Sequence, residues 1–478
     1  MDNNKFASQV TFLILINLLA KLIWIFYIER KVQLNVGFEN FGFYYSILNF
    51  TLILSVINDP GLNNYLVQYL SKEKSTEQHV SALFYLKIFL AVLYLLLTLF
   101  ISFLLGFNDY QLLGLLILYQ ILFSFLNYCR GFLKGHQLLK TEILFSVFDK
   151  IILIIAFVPI LYFKNNFSWT VNIYVIGQII GVLITLTFCI YYLYKKNIVV
   201  LAPNRISFNF SIIKKILPFA FFAFLVLAYN KIDTVMLSLM LPNGNLETGT
   251  YAAAYRFLDA GTMLPILFAT LFYPVVCKLI TDKSHLNKLI ENSLSALLSL
   301  SIIIAMTSWF FRTNIMQLFY TQNYSEKLSL IFGVLMFSLP LIVIYYIFST
   351  FFTANNNLKL LNLISAGGLV VNIGLNILLI PIYQSLGAAV SSLASFSIIG
   401  CSYIAVYYIN FKRSFSTVLW LKILAFVILL VALGNLLKPM AINWMLGLVI
   451  YIALATVLAG LFDFFNIKTS KSIIGLKH

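Results

Sequence analysis

Apolar residues run along this chain in long uninterrupted stretches, separated by short polar segments. Each stretch reaches the roughly 20 residues that a helix needs to cross a bilayer, and backbone groups in lipid must be satisfied within the segment. Barrel strands need only about 9–11 residues, so the pattern predicts helices. The sequence therefore predicts an all-α polytopic membrane protein with about fourteen spans, at residues 9–29, 41–58, 80–105, 110–128, 143–163, 170–193, 213–240, 251–276, 289–311, 329–352, 360–382, 386–410, 418–437 and 442–465.

Composition supports the same class. The chain has 478 residues, of which 61% are hydrophobic and 10% charged, whereas soluble domains have about 25% charged residues. The net charge of +16 raises the question of nucleic acid binding, but most of the excess lies in alternate loops, so we expect no nucleic acid partner. The four cysteines are scattered without a C-x-x-C pair, which predicts no metal site.

The basic residues give an orientation. Lysine and arginine concentrate in cytoplasmic loops of membrane proteins, and one alternate set of connections here holds about three times as many as the other. That set includes the segments before span 1 and after span 14, so both termini are predicted to be cytoplasmic. Its internal members are Lys72, Lys74, Arg130, Lys134, Lys140, Lys195, Lys196, Arg205, Lys214, Lys215, Lys278, Lys283, Lys288, Lys359, Lys412 and Arg413.

The longest of these loops divides the chain into weakly similar halves. Spans 2 and 8 each begin with a glycine two residues before a tyrosine, at Gly42 and Gly249, and spans 5 and 11 each end with Pro-Ile, at Pro159 and Pro381. Parallel repeats of this kind place a substrate path between two lobes. We predict lobes at 1–200 and 201–411, then two helices and a cytoplasmic tail at 412–478. The alternative is that both patterns are common helix-end compositions.

Several charged residues lie well inside the spans, where a charge costs about 2.5–3.5 kcal/mol even on lenient scales. Spaced cations lower the barrier for an anion without trapping it, and a diphosphate is such an anion. Lys21, Lys87, Lys150 and Arg256 are therefore predicted to bind substrate as a cationic ladder. Candidates for ion coupling or charge pairing are Lys231, Asp233 and Asp259.

Simpler interpretations exist for most of these residues. Lys87 and Lys150 could extend their ammonium groups to the inner interface. Lys231 could do the same towards the outer side, or pair with Asp233. Arg256 and Asp259 are three residues apart on one helix and could neutralise each other.

Three segments, taken in order, resemble one family. Residues 41–63 begin FGFY and end NDPGLN, residues 232–256 contain IDTVML and GTYAAAYR, and residues 376–389 contain IPIY followed by GAA. They are similar to signatures of the polysaccharide-transporter family in the multidrug/oligosaccharidyl-lipid/polysaccharide flippase superfamily. The sequence departs from that pattern at Pro60, and at Gln384, where the family often has glycine.

The resemblance implies both a fold and an activity. It implies two six-helix lobes around a central cavity with two further helices, and alternating access for an undecaprenyl-diphosphate-linked oligosaccharide, as in O-antigen flippases. Basic residues in spans 1 and 8 line the cavity of related flippases, and Lys21 and Arg256 lie in the corresponding helices. Expected partners are this lipid-linked sugar and membrane lipids, with a polysaccharide polymerase and a chain-length regulator as further candidates.

Two other functions remain as alternatives. The sequence has no phosphate-binding loop, no H-E-x-x-H and no nucleophile elbow, so we expect neither enzymatic activity nor a cofactor. A cation-coupled multidrug exporter of the same superfamily would need a functional carboxylate in the first half, for which Asp59 and Asp149 are the candidates. A membrane polysaccharide polymerase is the third interpretation.

Overall fold

The computed structural model describes residues 16–71, 77–162, 170–198, 211–411, 415–437 and 443–465. Every regular element in these ranges is a helix. A π-helical turn at Trp24–Glu29 precedes seventeen α-helices: α1 Arg30–Val36, α2 Phe38–Leu54, α3 Leu62–Leu70, α4 Glu77–Leu104, α5 Tyr110–Gly135, α6 Leu139–Tyr162, α7 Val171–Lys195, α8 Ser211–Met240, α9 Gly244–Leu279, α10 Lys283–Phe310, α11 Arg312–Phe319, α12 Glu326–Met336, α13 Ser338–Ala354, α14 Leu358–Tyr383, α15 Ser385–Phe411, α16 Thr417–Leu437 and α17 Trp444–Leu461.

Twelve segments of the described chain are helical, long and apolar enough to cross a membrane. They coincide with predicted spans 3 to 14, which confirms the all-helical polytopic class. Span 2 corresponds to α2, which has 17 residues. Span 1 corresponds to the helical residues from 16 onward, and its predicted residues 9–15 lie outside the described ranges. The predicted cytoplasmic tail beyond residue 465 also lies outside them.

Internal contacts divide the chain into two compact units, Met1–Gly249 and Thr250–His478, with the division inside α9. The first unit includes α8, which the sequence placed in the second lobe. The lobe boundary at residues 200 and 201 stays a prediction.

In the first unit, α5 packs along α7, α2 packs along α8, and α6 contacts both α7 and the π-helical turn. The short helix α3 was not predicted. It begins because the Asp59 carboxylate oxygen Oδ1 accepts the backbone N–H groups of Gly61 and Asn63, each at 3.3 Å. Gly61 has a φ of 99°, which favours glycine. The D-x-G-L pattern is therefore a helix start, and Leu62 and Leu66 then bury α3 against α4, α5 and α7.

The two glycines of the Gly-x-Tyr pattern meet in the first unit. A Cβ on Gly42 would lie 1.8 Å from the carbonyl oxygen of Asn245, and one on Gly249 would lie 2.0 Å from that of Phe38. Backbone therefore contacts backbone where α2 crosses the start of α9. The Gln33 Nε2 group donates to the Gly249 carbonyl at 2.8 Å across the same crossing. Close packing gives a physical reason for both glycines, and the repeat interpretation stays a prediction.

In the second unit, α14 and α15 form a closely packed hairpin, α15 and α10 both pack on α13, and α16 and α17 pack on α10 and on each other. Predicted span 10 is broken between α12 and α13. Pro340 has no N–H to donate to the carbonyl of Met336 four residues earlier, and this explains the break. Gln384, between α14 and α15, has a φ of 55°. This is the position where the family often has glycine, a residue that adopts positive φ without strain.

Candidate functional site

The first described helix presents a polar face to α6. Asn17 donates from Nδ2 to the Ser146 hydroxyl at 2.6 Å, and the ring of Trp24 lies 4.8 Å from the Lys150 ammonium. Lys21 is four residues after Asn17 and three before Trp24, so it lies on the same face of the helix. Its side chain is exposed, and Asp149 and Lys150 are among its electrostatic neighbours.

Lys150 is the centre of a partly buried network of charged and aromatic side chains. Its ammonium lies 3.4 Å from the Asp149 Oδ2 atom and interacts electrostatically with Tyr119 and Glu29. Trp24, which lies over this ammonium, donates its indole N–H to Glu29 Oε1 at 3.2 Å. Two carboxylates and a ring thus compensate one partly buried cation, as its partial removal from water requires.

Aromatic packing fixes the position of Trp24. Its ring stacks on Tyr174 with centroids 5.8 Å apart, and Tyr174 packs edge-on against Tyr44 at 5.7 Å. Gln178 donates to the Tyr44 hydroxyl at 3.5 Å. The π-helical turn adds to this arrangement because it brings Trp24 and Glu29, five residues apart, into contact, and such turns are frequent at functional sites. No pattern in the sequence predicts this π-helical turn.

Arg130 joins the same site. It is an electrostatic neighbour of Lys21, and it donates to Glu142 Oε1 at 2.6 Å and to Asn127 Oδ1 at 2.8 Å. Lys134 lies 3.5 Å from the same Glu142 atom. The sequence predicts a loop position for Arg130, whereas the residue lies within α5, which extends to Gly135. A signal was present in its i−3 and i+4 neighbours Asn127 and Lys134, which place three polar groups on one face of that helix.

Lys87 has a different environment. Its side chain is fully buried, its ammonium donates to the Asn58 carbonyl at 2.9 Å and to the Ser124 hydroxyl, and the Phe125 ring centroid lies at 5.9 Å. Asn58 belongs to the turn that separates α2 from α3. Lys87 thus ties that turn to α4 and α5.

Arg256, in the second unit, is 4% exposed and donates from Nη1 to the Tyr320 hydroxyl. Asp259, one turn later on α9, is half-buried; on α8 of the first unit, Lys231 is half-buried and Asp233 buried. All four take part in interactions within the protein. The predicted joint action of Lys21 and Arg256 on one substrate stays a prediction. Within the described ranges, no three His, Cys, Asp or Glu side chains are grouped so that they could hold a metal ion.

Several solved structures of flippases and transporters have a similar fold. The lipid II flippase MurJ in an inward closed conformation has 16% sequence identity and a TM-score of 0.71 over 98% of this chain and 99% of that one. An inward-facing multidrug resistance MATE family transporter of the MOP superfamily has 14% identity and a TM-score of 0.62, over 82% and 96%. A mutant of the Vibrio cholerae MATE transporter VcmN has 15% sequence identity and a TM-score of 0.56, over 86% of this chain and 98% of that one. At these identities the likeness shows the fold.

Family models extend this likeness to the sequence, although no curated protein matches the chain. The MatE model matches residues 218–378. The model for the family described as polysaccharide biosynthesis protein matches residues 6–280, more than half of the chain. The chain therefore belongs to the polysaccharide biosynthesis protein family, within the multidrug/oligosaccharidyl-lipid/polysaccharide flippase superfamily.

Proposed function

We propose that this protein is a flippase for an undecaprenyl-diphosphate-linked oligosaccharide repeat unit. It works by alternating access in the bacterial plasma membrane, with both termini cytoplasmic, and supplies O-antigen or capsule assembly. The observation that carries the proposal is the cationic face of the first unit, where exposed Lys21 lies among Arg130, Lys150 and Asp149 in a chain of this family. A diphosphate crossing an apolar bundle requires compensating positive charge.

The basic residues have distinct roles in this proposal. Lys21 holds the diphosphate directly, since its side chain is exposed. Lys150 binds the headgroup from within its network, in which Asp149 and Glu29 now compensate its charge. Arg256 engages the headgroup in a conformation that exposes it further than its present 4%. Lys87 contributes by holding the α2–α3 turn. We propose Asp233, Asp259 and Lys231 for charge pairing or ion coupling during the transport cycle.

Transport, rather than bond formation, is the activity we propose. The family's fold is shared with transporters and flippases, and no nucleophile or nucleotide motif is found in the sequence. A polysaccharide polymerase and a chain-length regulator would then act on the translocated repeat unit.

Deletion of the gene tests the proposal. We expect single lipid-linked repeat units to accumulate on the cytoplasmic leaflet, measured by extracting lipid-linked intermediates and by their protection from a membrane-impermeant glycan-modifying reagent in intact cells. Re-expression of the wild-type chain should restore export. Accumulation on the outer leaflet would instead place the defect after translocation and favour a polymerase.

A multidrug exporter is the second candidate, because MATE family transporters share the fold. Its expected carboxylate in the first half would be Asp59 or Asp149. Asp59 caps α3 and Asp149 is paired with Lys150, so both carboxylates have roles within the protein. Cation efflux raised by expression of the chain, with no change in lipid-linked intermediates upon deletion, would favour this candidate over the flippase.

A further inference from the structure

The short helix α11 of the second unit lies between two residues whose backbone is not helical. Phe311 before it has a φ of −105° and a ψ of 15°, and Tyr320 after it has a φ of −132° and a ψ of 44°. Hinges are element-terminal positions of this kind, which absorb changes of backbone angle. One face of α11 is buried, with Met316 at 0% exposure, whereas Leu318 is 52% exposed. The helix is therefore a short cover that can move about its ends.

The beginning of α11 is fixed to α10. The Arg312 Cζ atom lies 4.5 Å from the ring centroid of Trp309, and Arg312 donates from Nη1 to the Trp309 carbonyl at 2.9 Å. Gly333 of α12 leaves room for this pair, because a Cβ there would lie 2.8 Å from the Trp309 ring and 3.2 Å from the Arg312 Cδ atom. Motion about Phe311 would therefore displace the opposite end of α11.

That opposite end is held to α9 by two successive residues. Phe319 packs edge-on against Phe257 with ring centroids 5.0 Å apart, and the Tyr320 hydroxyl accepts a hydrogen bond from Arg256 Nη1. The Tyr320 backbone N–H donates to the Met316 carbonyl at 2.8 Å, so Tyr320 stays joined to α11. The hydrogen bond between Arg256 and Tyr320 thus ties the end of α11 to α9.

This hydrogen bond is one that an anion can replace. Its acceptor is a neutral hydroxyl, whereas guanidinium–phosphate pairs have two charged partners and are frequently bidentate. Tyr320 is 1% and Arg256 4% exposed, so an anion reaches the guanidinium only when a neighbouring segment moves. The end of α11 is such a segment, since it lies between hinge positions and is bonded to Arg256 itself.

We propose that Tyr320 is a positioning residue that latches α11 onto α9 through Arg256. While the latch is closed, the guanidinium is held against the hydroxyl and the buried face of α11 stays covered. In one respect the inference rests on the proposed function: the diphosphate of the substrate opens the latch by taking the place of the hydroxyl. Tyr320 thereby couples the arrival of the anion to the movement of α11.

Labelling of a cysteine on the buried face of α11 measures the latch. Met316→Cys is introduced into the full-length chain with the exposed Cys277 and Cys401 replaced by serine, and the rate of reaction of the purified protein with a maleimide reports how often α11 opens. We expect Tyr320→Phe to accelerate labelling about tenfold, the effect of one hydrogen bond to a charged group at the low end of its range. Arg256→Gln should act similarly, and the two changes together should add little, because both remove the same bond.

A second buried position separates local opening from a general loss of stability. Leu361→Cys, at a residue of α14 that is 0% exposed, should label equally slowly with and without Tyr320→Phe. Unchanged labelling at position 316 in Tyr320→Phe, or equal acceleration at positions 316 and 361, would overturn the inference.

Addition of undecaprenyl diphosphate tests the step that depends on the proposed function. This lipid should accelerate labelling at position 316 while Tyr320 is present, and should have a smaller effect in Tyr320→Phe, where the latch is already open. If Tyr320→Phe accelerates labelling and the lipid does not, the latch stands and the proposed substrate fails.

Discussion

Lys21 and Lys87 are both lysines within apolar spans of the same unit, yet the structure uses them in opposite ways. Lys87 is fully buried and donates to the Asn58 carbonyl and the Ser124 hydroxyl. Lys21 is exposed on a helix face whose neighbouring positions contact α6. One lysine completes the packing of a helix break, and the other remains accessible to a ligand. The presence of a lysine inside a membrane span therefore does not by itself indicate whether the residue binds a ligand or stabilises the fold.

Lys150 and Arg256, the other two cations predicted to bind substrate, are intermediate between Lys87 and Lys21. Lys150 is compensated by Asp149, Tyr119 and Glu29, and Arg256 donates to Tyr320. Both cations are bonded to protein groups, and both are less exposed than Lys21. The four cations can therefore be ranked from Lys87, which is fully buried and bonded to protein groups, to Lys21, which is exposed. For each of them, a variant can be measured for stability and for transport separately.

The largest expected effect is that of Lys87→Met on stability. Methionine keeps an unbranched side chain, one heavy atom shorter, but leaves the Asn58 carbonyl and the Ser124 hydroxyl without this donor. An unsatisfied buried group costs about 1–3 kcal/mol, and we expect the free energy of unfolding to fall by about 3 kcal/mol. Thermal melting in detergent measures it, with the exposed Lys196→Met as the matched control.

The opposite outcome for Lys87→Met would be informative as well. Replacing a buried charge by an apolar side chain can also stabilise a protein, because the cost of desolvating the charge disappears. If Lys87→Met leaves stability unchanged but abolishes transport, Lys87 binds substrate as Lys21 does, and the two lysines do not differ in role.

Tyr320→Phe should have the next largest effect. Tyr320 is 1% exposed, and phenylalanine removes the hydroxyl that accepts from the Arg256 guanidinium. Loss of a hydrogen bond to a charged group should lower stability by about 2 kcal/mol, measured by thermal melting. Tyr383→Phe, at a residue that is 56% exposed, provides the control and should change stability little. Equal melting temperatures for the two variants would show that the hydrogen bond between Arg256 and Tyr320 does not stabilise the protein.

Lys21→Gln should reduce transport rather than stability. Loss of one charge-assisted contact to a diphosphate should lower transport about tenfold, while an exposed substitution should change stability by no more than about 0.5 kcal/mol. Export in the deletion strain, at matched protein levels, measures the first effect, and thermal melting measures the second. Lys21→Arg keeps the charge and should retain most of the activity. Wild-type export by both Lys21→Gln and Arg256→Gln would contradict the substrate-binding role.

The sequence predicted the helices well because hydrophobic length decides them. Spans 3 to 14 follow directly from apolar runs, and the structure confirms them. It missed α3, since a nine-residue helix after Gly61 has no long apolar run, and its start depends on a cap from Asp59. It also missed the π-helical turn and the position of Arg130 within α5. The uses of Lys21 and Lys87 could not be separated in advance because they depend on which side chains of distant helices surround each ammonium.

The smallest expected effect comes from the ring that covers Lys150. Trp24→Phe keeps a ring but weakens the cation–π contact, which is strongest with tryptophan, and removes the N–H that donates to Glu29. We expect stability to fall by about 1 kcal/mol. Trp24→Leu removes the ring as well, together with its stacking on Tyr174, and should cost more. A graded loss of melting temperature across the wild type, Trp24→Phe and Trp24→Leu would show that the ring compensates the charge of Lys150. If the two variants have identical melting temperatures, the ring does not compensate Lys150. The carboxylates of Asp149 and Glu29 are then its main compensation.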